Sequence, residues 1–177
     1  MGQVAYLSLG SNLGDRAAHL REAITLLNAA TPKCQVSSFY ETQPVEVTDQ
    51  RWFLNCVVAI ETEKTPRELL KLVLSIEEAM GRVRTRAKGP RKIDIDVVLF
   101  GDRVVDDPEL KIPHPAMHGR RFVLEPLAEV APQVLHPVLG KTASELLAAL
   151  PPGATVRRLE SAIPPRQYGS AINPTKV

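Results

Sequence analysis

The 177-residue chain predicts an α+β domain with a ferredoxin-like βαββαβ core: an antiparallel sheet, the two core helices on one of its faces, and extra helices towards the C-terminus. Three observations carry the prediction. Strand-like and helix-like runs follow one another as strand, helix, strand, strand, helix, strand. Both helical runs open with a side-chain cap. The last strand begins with two aspartates directly before a continuous apolar run, Val97 to Phe100.

Val4–Leu9 is the first strand, ended by Gly10 to Asp15. Asp15 is placed to cap a helix over 16–29, whose apolar stripe is Leu20, Ala23, Ile24 and Leu27. Thr31-Pro32 stops it, and Gln35–Tyr40 forms the second strand. A polar loop over 41–51 leads to a long third strand, Phe53–Glu61. Thr65-Pro66-Arg67-Glu68 is a capping box with proline at the first helical position, so a helix runs from there to Met80 and closes at Gly81. A basic loop precedes the Ile93–Phe100 strand, and Gly101-Asp102 is placed to turn into a short partner at Val104-Val105. Beyond an extended turn at Ile112–Pro115, residues 116–130 read as helical and Thr142 starts a last short helix. The site domain is expected over 1–150. Residues 151–177, with five prolines and little apolar periodicity, read as an extended tail.

Bulk composition narrows the function. A hydrophobic content of 44% and a charged content of 24% belong to an ordinary globular domain, and a net charge of +2 gives no general attraction to nucleic acid. Cys34 and Cys56 form no metal-ligand spacing and lie in apolar runs, which predicts buried free thiols. No apolar run reaches membrane-span length and no leader pattern opens the chain, so a soluble cytoplasmic protein with no membrane partner is expected.

Residues 81–100 carry the chemistry. Asp94 and Asp96 are two apart on a strand, so they share a face with Cα atoms about 6.5–7 Å apart. Two such carboxylates repel unless a cation joins them. The loop upstream supplies Arg82, Arg84, Arg86, Lys88 and Arg91. Carboxylates beside guanidinium groups suit a metal-bound polyphosphate, with Mg²⁺ on the hard oxygens and arginine on the phosphate oxygens that remain. Taken singly, an Asp-X-Asp is more often a solvated edge and an arginine-rich loop mere surface. Charges entering a buried strand tip the balance to a site. Asn55 inside an apolar strand needs a partner for its amide. Gly10 to Gly14 lacks the P-loop lysine and reads as a turn.

Several segments occur in one order: Leu9-Gly10-Ser11-Asn12-Leu13-Gly14-Asp15, Ser37-Ser38-Phe39-Tyr40-Glu41-Thr42-Gln43-Pro44, Phe53-Leu54-Asn55, and Glu77 through Gly81-Arg82-Val83-Arg84. Gly89-Pro90-Arg91-Lys92-Ile93-Asp94-Ile95-Asp96 and Ile112-Pro113-His114 through Arg120 to Leu127 follow. Over 1–140 this set resembles the 6-hydroxymethyl-7,8-dihydropterin pyrophosphokinases of folate biosynthesis. The resemblance implies transfer of the diphosphate of ATP to the pterin hydroxymethyl group, with release of AMP. It implies two Mg²⁺ ions on Asp94 and Asp96, and Arg82 and Arg91 closing over the triphosphate, so that Arg82, Arg91 and Asp96 carry catalysis. His114 and Arg120 match further phosphate contacts, and Glu77 a residue near the nucleotide. Phe53 and Phe122 match the aromatics that stack the pterin, while Asn55 and the backbone around Thr42, Pro44 and Val45 would read its edge. The expected partners are small molecules only, met by a monomer.

Three positions depart from some relatives. Lys88 and Pro115 stand where those carry a tryptophan and a tyrosine, and Phe53 keeps a stacking face without a hydroxyl. A ferredoxin-like RNA-binding module is the competing class, since the RRM shares the topology. It would want exposed aromatics on the central strands, where this chain has Val57, Val58, Ala59 and Ile60, and aspartates on the open face would repel RNA. A nucleotide-sensing regulator without turnover is a second alternative.

Overall fold

The computed structural model describes residues 2–44, 49–82 and 90–159. Its main sheet contains β1 (Gln3–Ser11), β2 (Cys34–Val36), β3 (Tyr40–Thr42), β4 (Phe53–Thr62), β5 (Asp94–Phe100) and β8 (Val156–Arg158). The order is β5-β1-β4-β3-β8, with β2 also on β4, and every pairing is antiparallel. The chain is thus a mixed α/β fold on an antiparallel sheet, with four α-helices among the described residues.

Helices α1 (Arg16–Ala30) and α2 (Pro66–Ala79) start as their residues predict. The Asp15 side chain accepts from the Ala18 N–H, and Thr65 and Glu68 exchange both bonds of the capping box. Both helices cover one face of the sheet. Leu20, Ile24, Leu27, Leu69, Val73 and Ile76 pack there against Leu7, Leu9, Cys56, Val58, Ile60, Ile95 and Val97. Cys34 and Cys56 are buried free thiols, and burial pushes the Cys34 thiol up to about 12.

The opposite face is not open throughout, as the sequence reading had it. Helices α3 (Arg121–Val130) and α4 (Ala143–Ala148) cover half of it, burying Leu124, Leu127 and Leu146 with Tyr6, Val57, Ala59, Val98 and Leu99. A β-bulge makes this fit. Tyr6 pairs with Leu99 but Leu7 with Val97, so Val98 is the extra residue, and both Val98 and Leu99 join the second core. Among the described residues, neither helix buries the Asp94 end of that face.

Four further expectations change. The predicted strand over 35–40 is split, because the Ser37 hydroxyl takes the Val57 N–H in place of a regular ladder bond. Gly10 and Ser11 belong to β1, and the turn begins at Asn12. Gly101 turns the chain at φ +52°, but the strand beyond is β6 (Val105–Asp106), which pairs with β7 (Lys111–Ile112) and not with β5. The helix expected over 116–130 is a 3₁₀ turn, Met117–Gly119, then extended Arg120, then α3; Gly119 weakens helical continuity there. One strand was not expected at all: β8, from the segment read as tail, pairs with β3.

Candidate active site

Gly10 builds the site by lacking a side chain. It lies opposite Asn55 on β4 and Asp94 on β5, so the row Asn55–Gly10–Asp94 crosses three strands with a bare centre. A Cβ at Gly10 would stand 2.6 Å from Asn55 Oδ1. Around this floor opens a cleft of about 780 Å³, a volume suited to small-molecule ligands. It gathers Glu77 and Arg82 from the α2 end, Arg91, Asp94 and Asp96 from β5 and its approach, His114, Arg120 and Phe122 from the α3 side, and Thr42, Pro44, Phe53 and Asn55 from β3 and β4. Every described residue named from the sequence lines it. Val45, Arg84, Arg86 and Lys88 lie outside the described residues.

At one end, charges interlock. Arg82 pairs with Glu77 and places the same Nη1 2.8 Å from Asp94 Oδ1, while Arg91 Nη1 lies 3.1 Å from Asp94 Oδ2. Glu77 is buried and also accepts from the Ile95 N–H at 3.1 Å. Burial raises its carboxyl, against the pull of Arg82. The Asp96 carboxyl is pushed up to about 7, first by burial and then by the charge of Asp94, against the pull of Arg120. His114 is lowered by burial and then by Arg120. Its Nδ1 accepts from the Ala116 N–H at 3.2 Å, so the neutral ring carries its proton on Nε2.

The other end is neutral and aromatic. Asn55 Nδ2 donates to Thr42 Oγ1 at 2.5 Å, which satisfies half of the buried amide that the sequence flagged. The Arg120 guanidinium lies over the Phe122 ring, 5.5 Å from its centroid.

Sequence reasoning missed Asn12. Its Oδ1 accepts from the Arg91 N–H at 2.8 Å, while its Nδ2 donates to Gln50 Oε1 at 2.8 Å and to the Arg51 carbonyl at 3.4 Å. One buried amide therefore ties the 49–51 loop to the approach of β5. The signal was present: an asparagine just after a buried strand needs partners as Asn55 does. Leu70, Leu74, Pro108 and Glu109 extend the cleft beyond Glu77 and were also missed. Leu74 is exposed on the helix face that amphipathicity assigns to water.

Asp94 and Asp96 share a face, and among the described residues no group of three or more His, Cys, Asp or Glu side chains forms a ligand cluster. Two carboxylates fit an ion such as Mg²⁺, which takes one or two from protein and completes its shell with phosphate and water oxygens.

Comparison with known proteins shows what the chain is similar to. A Methylorubrum extorquens protein named 2-amino-4-hydroxy-6-hydroxymethyldihydropteridine pyrophosphokinase is 51% identical over 156 residues, covering 86% of this chain and 97% of its own. The Bacillus subtilis protein of that name is 48% identical over 136 residues, 76% of this chain and 81% of its own. Folic acid synthesis protein fol1 of Schizosaccharomyces pombe is 42% identical over 84% of this chain, which spans 21% of that longer protein. Among solved structures, Plasmodium falciparum HPPK-DHPS with pterin and p-hydroxybenzoate aligns with a TM-score of 0.67 at 19% identity. The alignment covers 84% of this chain and 42% of that one, a likeness of fold. Residues 6–132 match the 7,8-dihydro-6-hydroxymethylpterin-pyrophosphokinase family, and the chain belongs to that family.

Proposed function

We propose that the chain transfers the diphosphate of ATP to the hydroxymethyl group of 6-hydroxymethyl-7,8-dihydropterin, releasing AMP, as a step of folate biosynthesis. One observation carries this reading: the Asn55–Gly10–Asp94 row sets a neutral amide subsite and a charged subsite two strand spacings apart, about 10 Å, on one floor. A bicyclic alcohol held over Asn55 and Thr42, between Phe53 and Phe122, would reach a triphosphate held over Asp94.

Asp94 and Asp96 would hold Mg²⁺, two ions on this reading, and the metal would neutralise and orient the phosphates. Arg82 and Arg91 exchange Asp94 for phosphate oxygens, His114 donates from Nε2, and Arg120 adds positive charge. Glu77 keeps Arg82 in place from its buried position. Thr42, Pro44, Val45 and Asn55 read the pterin edge. The same reading places the sheet order β5-β1-β4-β3, with α1 and α2 as crossovers, in the ferredoxin-like class. It also places the site within residues 1–150 of a cytoplasmic monomer that acts on small molecules and not on nucleic acid. No helix among the described residues is long and apolar enough to cross a membrane. Family membership disfavours an RNA-binding module or a non-catalytic sensor.

The test is AMP formation from ATP and the reduced pterin, with Mg²⁺ and then with EDTA. AMP is expected only when pterin and metal are both present; ADP would overturn the diphosphate transfer. Gly10→Ala adds a second check. Its Cβ would displace the Asn55 amide, so pterin affinity should fall by at least about tenfold, the scale of a lost hydrogen bond to a buried group. ATP affinity should change little, as equilibrium titration of each ligand would read.

A further inference from the structure

Strand β8 lies outside the cleft, yet it holds the cleft's neutral end. The Gln43 N–H donates to the Thr155 carbonyl at 3.0 Å, and the Thr155 N–H returns a bond to Gln43 Oε1 at 3.4 Å. Val156 pairs with Thr42, and the Leu159 N–H donates to the Phe39 carbonyl at 2.8 Å. Thr42, Gln43 and Pro44 line the cleft. Strand β3 is only three residues long. Without β8 it would be a short edge strand, paired on one side, at the rim of the site.

The far end of this pairing is cross-braced. Glu129 of α3 accepts from the Ser38 N–H at 3.0 Å, the Ser38 hydroxyl at 2.7 Å, the Tyr40 hydroxyl at 2.6 Å and Arg158 Nη2 at 3.1 Å, while Arg158 Nε donates to the Ser38 hydroxyl at 3.1 Å. Burial, and then the bond to Glu129, raise the Tyr40 phenol, so it stays a donor. Helix α3 carries Phe122 in its first turn. The Glu129 node therefore joins two elements that both line the cleft: β3 with Thr42, and α3 with Phe122. Within this set the contact with a charged lining residue runs through Phe122, whose ring lies under the Arg120 guanidinium.

We propose that Thr155–Leu159, anchored through Arg158 to Glu129, is a positioning strap that sets pterin affinity independently of nucleotide affinity. The inference rests on the proposed function and assigns a role to a segment that composition alone marks as tail. It is tested on the full chain by titrating 6-hydroxymethylpterin and, separately, an ATP analogue with a methylene between the α and β phosphorus atoms.

Leu159→Pro removes the N–H that bonds Phe39, and Arg158→Ala removes the anchor. The pterin Kd should rise about tenfold for the first and about threefold for the second, the range of one backbone bond and one partly exposed charged bond. The analogue Kd should stay within about twofold. Unchanged pterin affinity in both variants, or equal loss for both ligands, would overturn the strap. Should Leu159→Pro fail to fold, Arg158→Ala decides by the same split. A wild-type chain that binds the analogue but not the pterin would remove the pterin reading and the strap with it. Normal wild-type binding with unaltered variants would remove the strap alone.

Discussion

Asp96→Ala will abolish turnover while leaving the chain folded. On the proposed reading the carboxylate is one of only two protein ligands to the metal, and metal stabilisation of phosphoryl charge amounts to several kcal/mol, a loss of about a thousandfold or more in rate. The fold has no need of this charge. Asp96 sits beside Asp94, half-buried, with its carboxyl pushed up to about 7 by burial and then by that neighbour. The stability consequence has a definite sign. As pH rises from the ordinary aspartate value of 3.8 towards about 7, the folded chain keeps a proton that the unfolded chain has already released. Stability contributed by the protonated form is therefore lost across that window.

In EDTA at pH 8, Asp96→Ala should melt about 2–4 °C above wild type, the shift that roughly 1 kcal/mol gives a chain of this size, and the gain should shrink towards pH 4. Thermal unfolding at the two pH values, beside AMP release, checks both halves. Near-normal turnover would remove Asp96 from the metal site. Metal must also displace that proton, so Mg²⁺ binding should release protons below about pH 7.

Arg91→Ala should lower kcat by about a thousandfold, in the range of catalytic arginines in phosphoryl transfer, while weakening ATP binding by less than about tenfold. The asymmetry follows from the resting geometry. Arg91 already holds an anionic partner, Asp94, at 3.1 Å. Binding ATP exchanges one anion for another, so the net gain in the ground state is small. Charge that develops on the transferred and leaving phosphoryl oxygens has no counterpart before reaction, and the guanidinium is expressed there. Its backbone N–H stays bonded to Asn12 in the variant, so the approach to β5 keeps its anchor. Single-turnover rates with direct ATP titration separate the two quantities. Equal losses in both would make Arg91 a binding residue only.

These effects arise from local and distant information in different proportions. Local chemistry was legible in the chain. Asp15 and Thr65 announce α1 and α2 through side-chain bonds within four residues, and the two-residue spacing of Asp94 and Asp96 puts both on one face whatever the sheet does. The described residues named for the site, from Thr42 to Phe122, meet in one cleft, carried there by β3, β4 and β5 and by the ends of α2 and α3. The Ser37 split of the second strand was not legible, since it depends on the Val57 N–H that only the sheet brings near. Nor was the bulge at Val98, which lets two consecutive residues face one core.

Cap, period and spacing, set by contacts a few residues long, are what the amino-acid order by itself determined: helices, strand faces, the paired carboxylates and the family they resemble. Tertiary structure alone decided that α3 and α4 close half of the second face, that a bare Gly10 joins the neutral and charged ends of the cleft, and that Asn12 reaches Arg91 across 79 residues. It also drew Val156–Arg158 back onto β3, where the backbone groups of a short edge strand needed partners that nothing near them in the chain could supply.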